Sequence, residues 1–444
     1  MKKVISAFIV MLLVSSINFS QDEKLAEELY NSLKQNIIET WYPRTIDKIY
    51  GGFITDFNYE WKEEGKQNKM LVSQTRHVWT TSKSAEFFND KNYLNYAKHG
   101  FEFLKNKMWD SVYGGFYFYR DQEGNEIPQI GNNKSSYSNA FAIYCLAAYY
   151  KISNDSSALN LAVKTFYWLE KNAHDPINKG YFDLLNQDGS RQKLIVEKRG
   201  LEYNVKSNWK DQNSSIHLLE AFTELYSVWK NELLKIRLEE MLSLIRDTIV
   251  NEKGYLILYF DEKWHPISFA DSIEEIRKAN HFLDHVSFGH DIETAYLMLE
   301  AENVLENKDK SKTLAVAKKM VDHAVEFGWD YKNGGFIYEG YYFKNEMKPR
   351  VINKSKVWWV QAEGLNSLLM MYKLFPEEKR YYELFIKEWK YIDKYLIDHK
   401  HGDWYAEGLD NSPEFITYAK SYEWKVNYHN SRALMNCIKM LNEK

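Results

Sequence analysis

Three histidines stand near the starts of three amphipathic segments, each with a polar or charged neighbour at helical spacing. His217 follows Asn213 by four residues in "NSSIHLLEAFTELY". His290 precedes Glu293 by three in "SFGHDIETAYLMLEA", and His429 precedes Arg432 by three in "EWKVNYHNSRALMN". Residues three or four apart share a helix face. Imidazole is the side chain best suited to take and return a proton near neutral pH. A carboxylate such as Glu293 beside His290 is expected to fix one tautomer and raise its basicity. Three further segments begin in a similar way. One offers Arg76 with His77 and Trp79, one Tyr137, and one Trp359 with Glu363 four residues on; Trp424 precedes His429 in the last. A single histidine on an apolar face is ordinarily a satisfied core residue, but three at corresponding positions point to proton transfer. Three histidines and a carboxylate would also suit zinc. No pair has the close spacing of a zinc motif, so a metal is not expected.

What must position these groups is a repeat. Short glycine motifs recur at Tyr50-Gly51-Gly52-Phe53, Tyr113-Gly114-Gly115-Phe116, Lys179-Gly180-Tyr181-Phe182, Lys253-Gly254-Tyr255, Asn333-Gly334-Gly335-Phe336 and His401-Gly402-Asp403-Trp404. The mean step from Gly51 to Gly402 is about 70 residues, too long for a simple solenoid. Helical periodicity marks twelve segments, near 23–40, 70–90, 92–108, 136–152, 157–173, 212–229, 231–250, 286–306, 310–327, 356–374, 378–397 and 425–441. Every second one carries polar residues within an apolar face, and the others have an ordinary solvated side. A turn, a short strand and two helices, six times over, predict a closed ring of helix pairs with one central cavity. The inner helices begin near 70, 136, 212, 286, 356 and 425, and their N-terminal ends carry the chemistry.

The rest of the sequence frames this ring. Met1-Lys2-Lys3, the apolar run "VISAFIVMLLV" and the polar exit "SSINFSQDEK" read as a signal peptide cut near Gln21. The run is short for a membrane span, and no cysteine lies near the exit. Residues 22–444 are expected to form one exported domain, periplasmic or secreted, with no membrane insertion after cleavage, as a monomer or weak homodimer. A net charge of -4 argues against a nucleic-acid partner. Aromatic residues make up 16% of the chain, and aromatic faces such as Trp359 and Trp424 suit the C–H faces of sugars. Cys145 and Cys437 sit in apolar helical segments and read as buried free thiols.

With these motifs in hand, the chain resembles the N-acylglucosamine 2-epimerase superfamily, and within it the cellobiose or mannobiose 2-epimerase branch. The resemblance rests on "GHDIE" at 289–293, "WWVQAE" at 358–363, "WKVNYHNSR" at 424–432, "HLLEA" at 217–221, "YSNAFAIY" at 137–144 and, less specifically, "RHVW" at 76–79. It implies an all-α (α/α)6 barrel and cofactor-independent inversion at C2 of the reducing-end sugar, through ring opening and a cis-enediolate. His290 and His429 would be the two acid/base groups, and His217 would assist ring opening. Glu293 would tune its neighbouring histidine, and Arg76 would stabilise the enediolate oxygen. Tyr137, Asn213 and Glu363 would bind hydroxyls, and Trp359 and Trp424 would stack on the sugar rings. The chain departs from the usual pattern at Ser215, at Val426-Asn427 and at Tyr296. An aldose–ketose isomerase would use the same histidine pair. A glycoside hydrolase of this fold would need two carboxylates flanking the bond, where the helix starts offer histidines. A non-catalytic sugar-binding protein would have little use for both His290 and His429.

Overall fold

The computed structural model describes residues 21–192, 206 and 208–443; the expected leader, residues 1–20, lies outside them. Twelve long helices build the barrel. They are α1 (Gln21–Asn31, continued by a π-helical stretch Ser32–Ile38 and by Glu39–Trp41), α2 (Leu71–Phe88), α3 (Lys91–Phe103), α4 (Ser136–Ser153), α5 (Ser156–Asn172) and α6 (Gln212–Val228). The second half supplies α7 (Glu232–Leu244), α8 (Phe288–Val304), α9 (Ser311–Gly328), α10 (Trp358–Leu374), α11 (Arg380–Tyr395) and α12 (Tyr428–Asn442). The even-numbered helices each touch the next, and α12 meets α2 to close the ring. Each odd-numbered helix packs outside it, α1 on α12 and the others on the helix before them in sequence. This is the (α/α)6 barrel. Inner helices are buried almost all round: thirteen of the eighteen residues of α4 lie in the interior.

The six glycine motifs are six equivalent turns. Each closes one antiparallel bridge, at Ile46–Phe53, Trp109–Phe116, His174–Tyr181, Val250–Leu256, Trp329–Phe336 and Ile397–Trp404. Positive φ is what the glycines supply: at Gly115 (φ 73°) an added Cβ would lie 2.8 Å from the Trp168 ring. An aspartate opens five of the turns, and a buried lysine bonds it: Lys69–Asp47 and Lys210–Asp175 at 2.8 Å, Lys134–Asp110 at 2.9 Å, Lys356–Asp330 at 2.8 Å and Lys420–Asp398 at 2.6 Å. In the fourth unit both members are replaced. Asn251 takes the aspartate's place in the turn, and Val286 stands two residues before α8 where lysine precedes α2, α4, α6 and α10.

An inner-helix side chain then ties four of the turns to the barrel. Gln74 exchanges two hydrogen bonds with the backbone of Phe53, Asn139 with Phe116 and Gln361 with Phe336. Asp291, inside "GHDIE", accepts the Leu256 amide at 2.8 Å. Short ladders at Lys69–Met70, Lys134–Ser135, Lys210–Asp211 and Val286–Ser287 run straight into α2, α4, α6 and α8. This is why α8 starts at Phe288 rather than 286. Before α12, a bridge between Tyr422 and Lys425 holds the chain in a turn, so Trp424 sits on a loop and not on the helix. Periodicity also passed over a short helix at Glu274–Asn280 and a 3-10 turn at Pro413–Thr417. Cys145 and Cys437 are free and buried.

Candidate active site

The starts of the inner helices enclose a cavity of about 470 Å³. Of the ten residues singled out from sequence, nine line it: Arg76, Tyr137, Asn213, His217, His290, Glu293, Trp359, Trp424 and His429. Asn213, Trp359, Tyr137 and His429 are each the second residue of their helix, and His290 is the third. The ladders before α4, α6 and α8 thus fix which side chains enter from those helices. Glu363 is the exception. It has no exposure and lies behind His429, so it cannot bind a sugar hydroxyl as expected.

Each histidine is held through Nδ1, leaving Nε2 as its free edge. His217 Nδ1 donates to Glu220 Oε2 at 2.9 Å. His429 Nδ1 donates to Glu363 Oε1 at 2.7 Å. His290 Nδ1 lies 2.7 Å from the Ser287 hydroxyl. A carboxylate only accepts, so it fits an Nδ1–H; a hydroxyl can donate or accept, and serves His290 with or without a proton there. Burial, together with the positive field of His217, His285, His429 and Arg76, lowers His290 to about 3. Burial and then Arg76 push His429 well below its ordinary value. Both imidazoles are therefore neutral at rest, and the Trp359 ring packs against both, with ring-centre distances of 4.8 Å to His290 and 5.6 Å to His429.

Beneath the histidines lies a knot of charge. Arg432 Nη2 donates to Glu293 Oε1 at 2.6 Å and to Glu363 Oε1 at 2.7 Å, and Nη1 donates to Glu220 Oε1 and to the Tyr428 hydroxyl. Glu293 was expected to orient His290. It faces Arg432 instead and comes within 3.8 Å of His429 Nδ1. Helical spacing puts Glu293 on the face of His290, but a guanidinium on α12 offers it a direct opposite charge. Burial alone would raise Glu220, yet the charge of Arg432 and the bonds from His217 and Tyr428 hold it at about 2. Glu293, Glu363 and His429 also place ligand atoms within 4.8 Å of one another. The Arg432 guanidinium already bonds Glu293 Oε1 and Glu363 Oε1, and His429 Nδ1 carries the proton it gives Glu363 Oε1, so in this arrangement the cluster holds a guanidinium.

Arg76 supplies positive charge from α2, the helix next to α12 in the ring. Its guanidinium lies 4.6 Å from the centre of the Phe141 ring and 5.1 Å from that of Tyr428, and its buried Nε has no partner. Its sequence neighbours belong to the core: His77 bonds the Tyr42 hydroxyl at 2.9 Å and stacks on Phe53, and Trp79 stacks on Tyr144. Tyr137 packs 5.3 Å from the His217 ring. Trp424 is 42% exposed at the mouth, and Tyr338, Trp358, Glu407 and Tyr422 complete the lining. Of the supporting groups, Arg432 was visible in its motif but not given a role, and Ser287, Glu220 and Tyr428 carried no signal of their own.

Comparison with known proteins agrees with this arrangement. The sequence profile of the N-acylglucosamine 2-epimerase (GlcNAc 2-epimerase) family matches residues 52–433. The cellobiose 2-epimerase of Ruminococcus albus is 31% identical over 417 residues, covering 93% of this chain and 98% of that protein. The D-mannose isomerase of Marinomonas mediterranea is 25% identical over 407 residues, covering 90% and 94%. The structure of cellobiose 2-epimerase from Spirochaeta thermophila matches with a TM-score of 0.80 and 28% identity, over 95% of this chain and 97% of that one. With its profile match spanning most of the barrel and its site built on the family's motifs, the chain belongs to the N-acylglucosamine 2-epimerase family.

Proposed function

We propose that the enzyme inverts C2 of the reducing-end residue of a β-1,4-linked disaccharide or oligosaccharide of the cellobiose or mannobiose type. The observation that carries this reading is the pair His290 and His429, each held by Nδ1 and each packed against Trp359 in one cavity. Inversion needs a proton removed from one face of C2 and another returned to the opposite face. The reducing-end ring stacks on Trp359 and opens with help from His217, whose Nδ1–H on Glu220 leaves Nε2 able to accept a proton. One neutral imidazole of the pair takes the C2 proton, the other gives C2 a proton that it has first taken up from solvent, the first then releases its proton to solvent, and the roles exchange in the reverse direction. The cis-enediolate between the two steps carries negative charge on oxygen, which Arg76 stabilises in a site of low dielectric. Tyr137 and Asn213 hold hydroxyls, and Trp424 takes the second sugar.

An aldose–ketose isomerase would use the same groups and return the proton to C1; the likeness to a D-mannose isomerase keeps that reading as the alternative. Incubation with cellobiose, mannobiose and mannose, with products identified by NMR, separates the readings. A C2-inverted disaccharide is expected. A ketose would establish the isomerase, and released monosaccharide would show hydrolysis.

We also propose that the basic, apolar and polar stretches of residues 1–21 direct export, and that the enzyme works as a monomer or weak homodimer. Mature protein recovered outside the cytoplasm and starting near Gln21 is expected; protein retained in the cytoplasm with Met1 intact would contradict export. Sedimentation showing a stable higher oligomer would contradict the assembly state.

A further inference from the structure

The sixth glycine turn differs from the others. The residue just before the bridge is glycine in four turns, Gly52, Gly115, Gly180 and Gly335, with φ between 68° and 85°. In the sixth it is Asp403, with φ 59° and no exposure. This left-handed conformation disfavours most side chains, and aspartate is among the few that adopt it. The carboxylate is what the turn gains. Its Oδ2 accepts from Lys425 Nζ at 2.5 Å, and its Oδ1 accepts from Asn430 Nδ2 at 3.0 Å.

Lys425 is an added lysine as well. The lysine that bonds the turn aspartate stands two residues before α2, α4, α6 and α10; before α12 that place is Val426, and Lys420 bonds Asp398 instead. Lys425 is 1% exposed, and its ammonium also bonds the Lys420 carbonyl at 2.8 Å. It closes the turn that begins at Tyr422, with Trp424 as its chain neighbour. Asn430 is the chain neighbour of His429 in the first turn of α12. One buried carboxylate therefore holds the residue after Trp424 and the residue after His429. Asp403, Lys425 and Asn430 do not line the cavity, so they reach the substrate only through those two side chains.

We propose that Asp403 is a positioning residue that holds the sugar-stacking ring of Trp424 and the imidazole of His429 in fixed relation to each other. The proposal rests on the reading above, in which Trp424 takes the second sugar and His429 transfers a proton. The lysine arm then acts on substrate binding and the asparagine arm on proton transfer. Tyr119 holds the same turn through Glu423 at 2.7 Å, so losing the lysine arm loosens Trp424 without releasing it.

Steady-state kinetics on the full enzyme with the disaccharide test it. Asp403→Asn combined with Lys425→Met removes both charges and keeps an amide oxygen for Asn430. Its KM is expected to rise about tenfold, the scale of about 1.4 kcal/mol, with little change in kcat. In a Trp424→Ala background the same two substitutions should add nothing to KM, because effects carried by one shared group do not add. Asn430→Ala leaves the ion pair in place and is expected to lower kcat about tenfold with KM kept. Wild-type KM in the folded double variant overturns the proposal, and so does a KM rise that recurs in full in Trp424→Ala. A fall in kcat and a rise in KM that merely track a lower Tm also overturn it, since a purely structural role gives that pattern. Where the double variant does not fold, Asn430→Ala decides, and an unchanged kcat overturns the proposal. No disaccharide turnover by the wild type overturns the epimerase reading and this inference with it; the variant results overturn this inference alone.

Discussion

His429 Nδ1 lies 2.7 Å from Glu363 Oε1, and that carboxylate is fully buried behind the ring. The pairing gives Glu363 a positioning role: it fixes Nε2 of His429 toward the cavity and stabilises the imidazolium formed during turnover. Glu363→Gln keeps the shape and an acceptor but removes the charge. Its kcat is expected to fall on the order of 10²-fold with little change in KM, and the acidic limb of the pH–rate profile should move to lower pH. An unshifted profile with wild-type kcat would contradict the role.

Arg432 ties Glu220, Glu293 and Glu363 together in the interior. Arg432→Met leaves three buried carboxylates without their shared cation. Breaking a buried pair costs about 3–5 kcal/mol, so thermal unfolding should show a large loss of stability along with lost activity. A variant as stable as the wild type would show that the three carboxylates do not depend on this charge.

The barrel contains its own control for the repeated lysine–aspartate pairs. Lys134 and Asp110 are almost wholly buried, while the fourth unit carries Val286 and Asn251 at the matching places. Lys134→Val alone strands a buried carboxylate and is expected to cost about 3 kcal/mol. Adding Asp110→Asn should recover more than half of that loss in denaturant unfolding. Additive losses would contradict the equivalence of the units.

Acid should weaken the fold through its buried histidines. Burial holds His77 and His290 at about 3, whereas unfolded histidines titrate near 6.5. Between these values the unfolded chain binds more protons, so stability rises with pH in that window. The contribution is present in full above about 6.5 and is lost as pH falls, by about 1.4 kcal/mol per unit for each group. The Tm is expected to drop steadily from pH 7 to 5, and His77→Gln should flatten the slope. A Tm independent of pH over this range would refute the assignment.

Much of the site was legible because it repeats. His290 and His429 fall within the first three residues of their inner helices and His217 is the sixth of its own, and polar side chains recurring in these first turns are hard to explain by packing alone. The ring was legible from six glycine turns whose positive φ leaves few alternatives to glycine. The partners of the histidines were not. Spacing places Glu293 on the same helix face as His290, but it cannot show that Arg432, more than a hundred residues on, competes for that carboxylate. Glu363 was read as a sugar ligand because four-residue spacing from Trp359 cannot reveal that His429 stands in front of it. Ser287 escaped because its role depends on a strand ending one residue before α8. The aspartates at 47, 110, 175, 330 and 398 were visible in the turns, but their meaning lies in lysines some 22 to 35 residues away.

The central claim is that two imidazoles act on opposite faces of C2. It is tested most directly by following deuterium in heavy water, with the disaccharide as substrate, in the wild type and in His290→Ala and His429→Ala. The wild type is expected to give the inverted product carrying deuterium at C2. Each variant should keep its fold, lose inversion by at least about 10³-fold, and at most exchange the C2 hydrogen of one epimer without inverting it. Inversion by either variant at near wild-type rate, or inverted product without deuterium at C2, would contradict the two-histidine account.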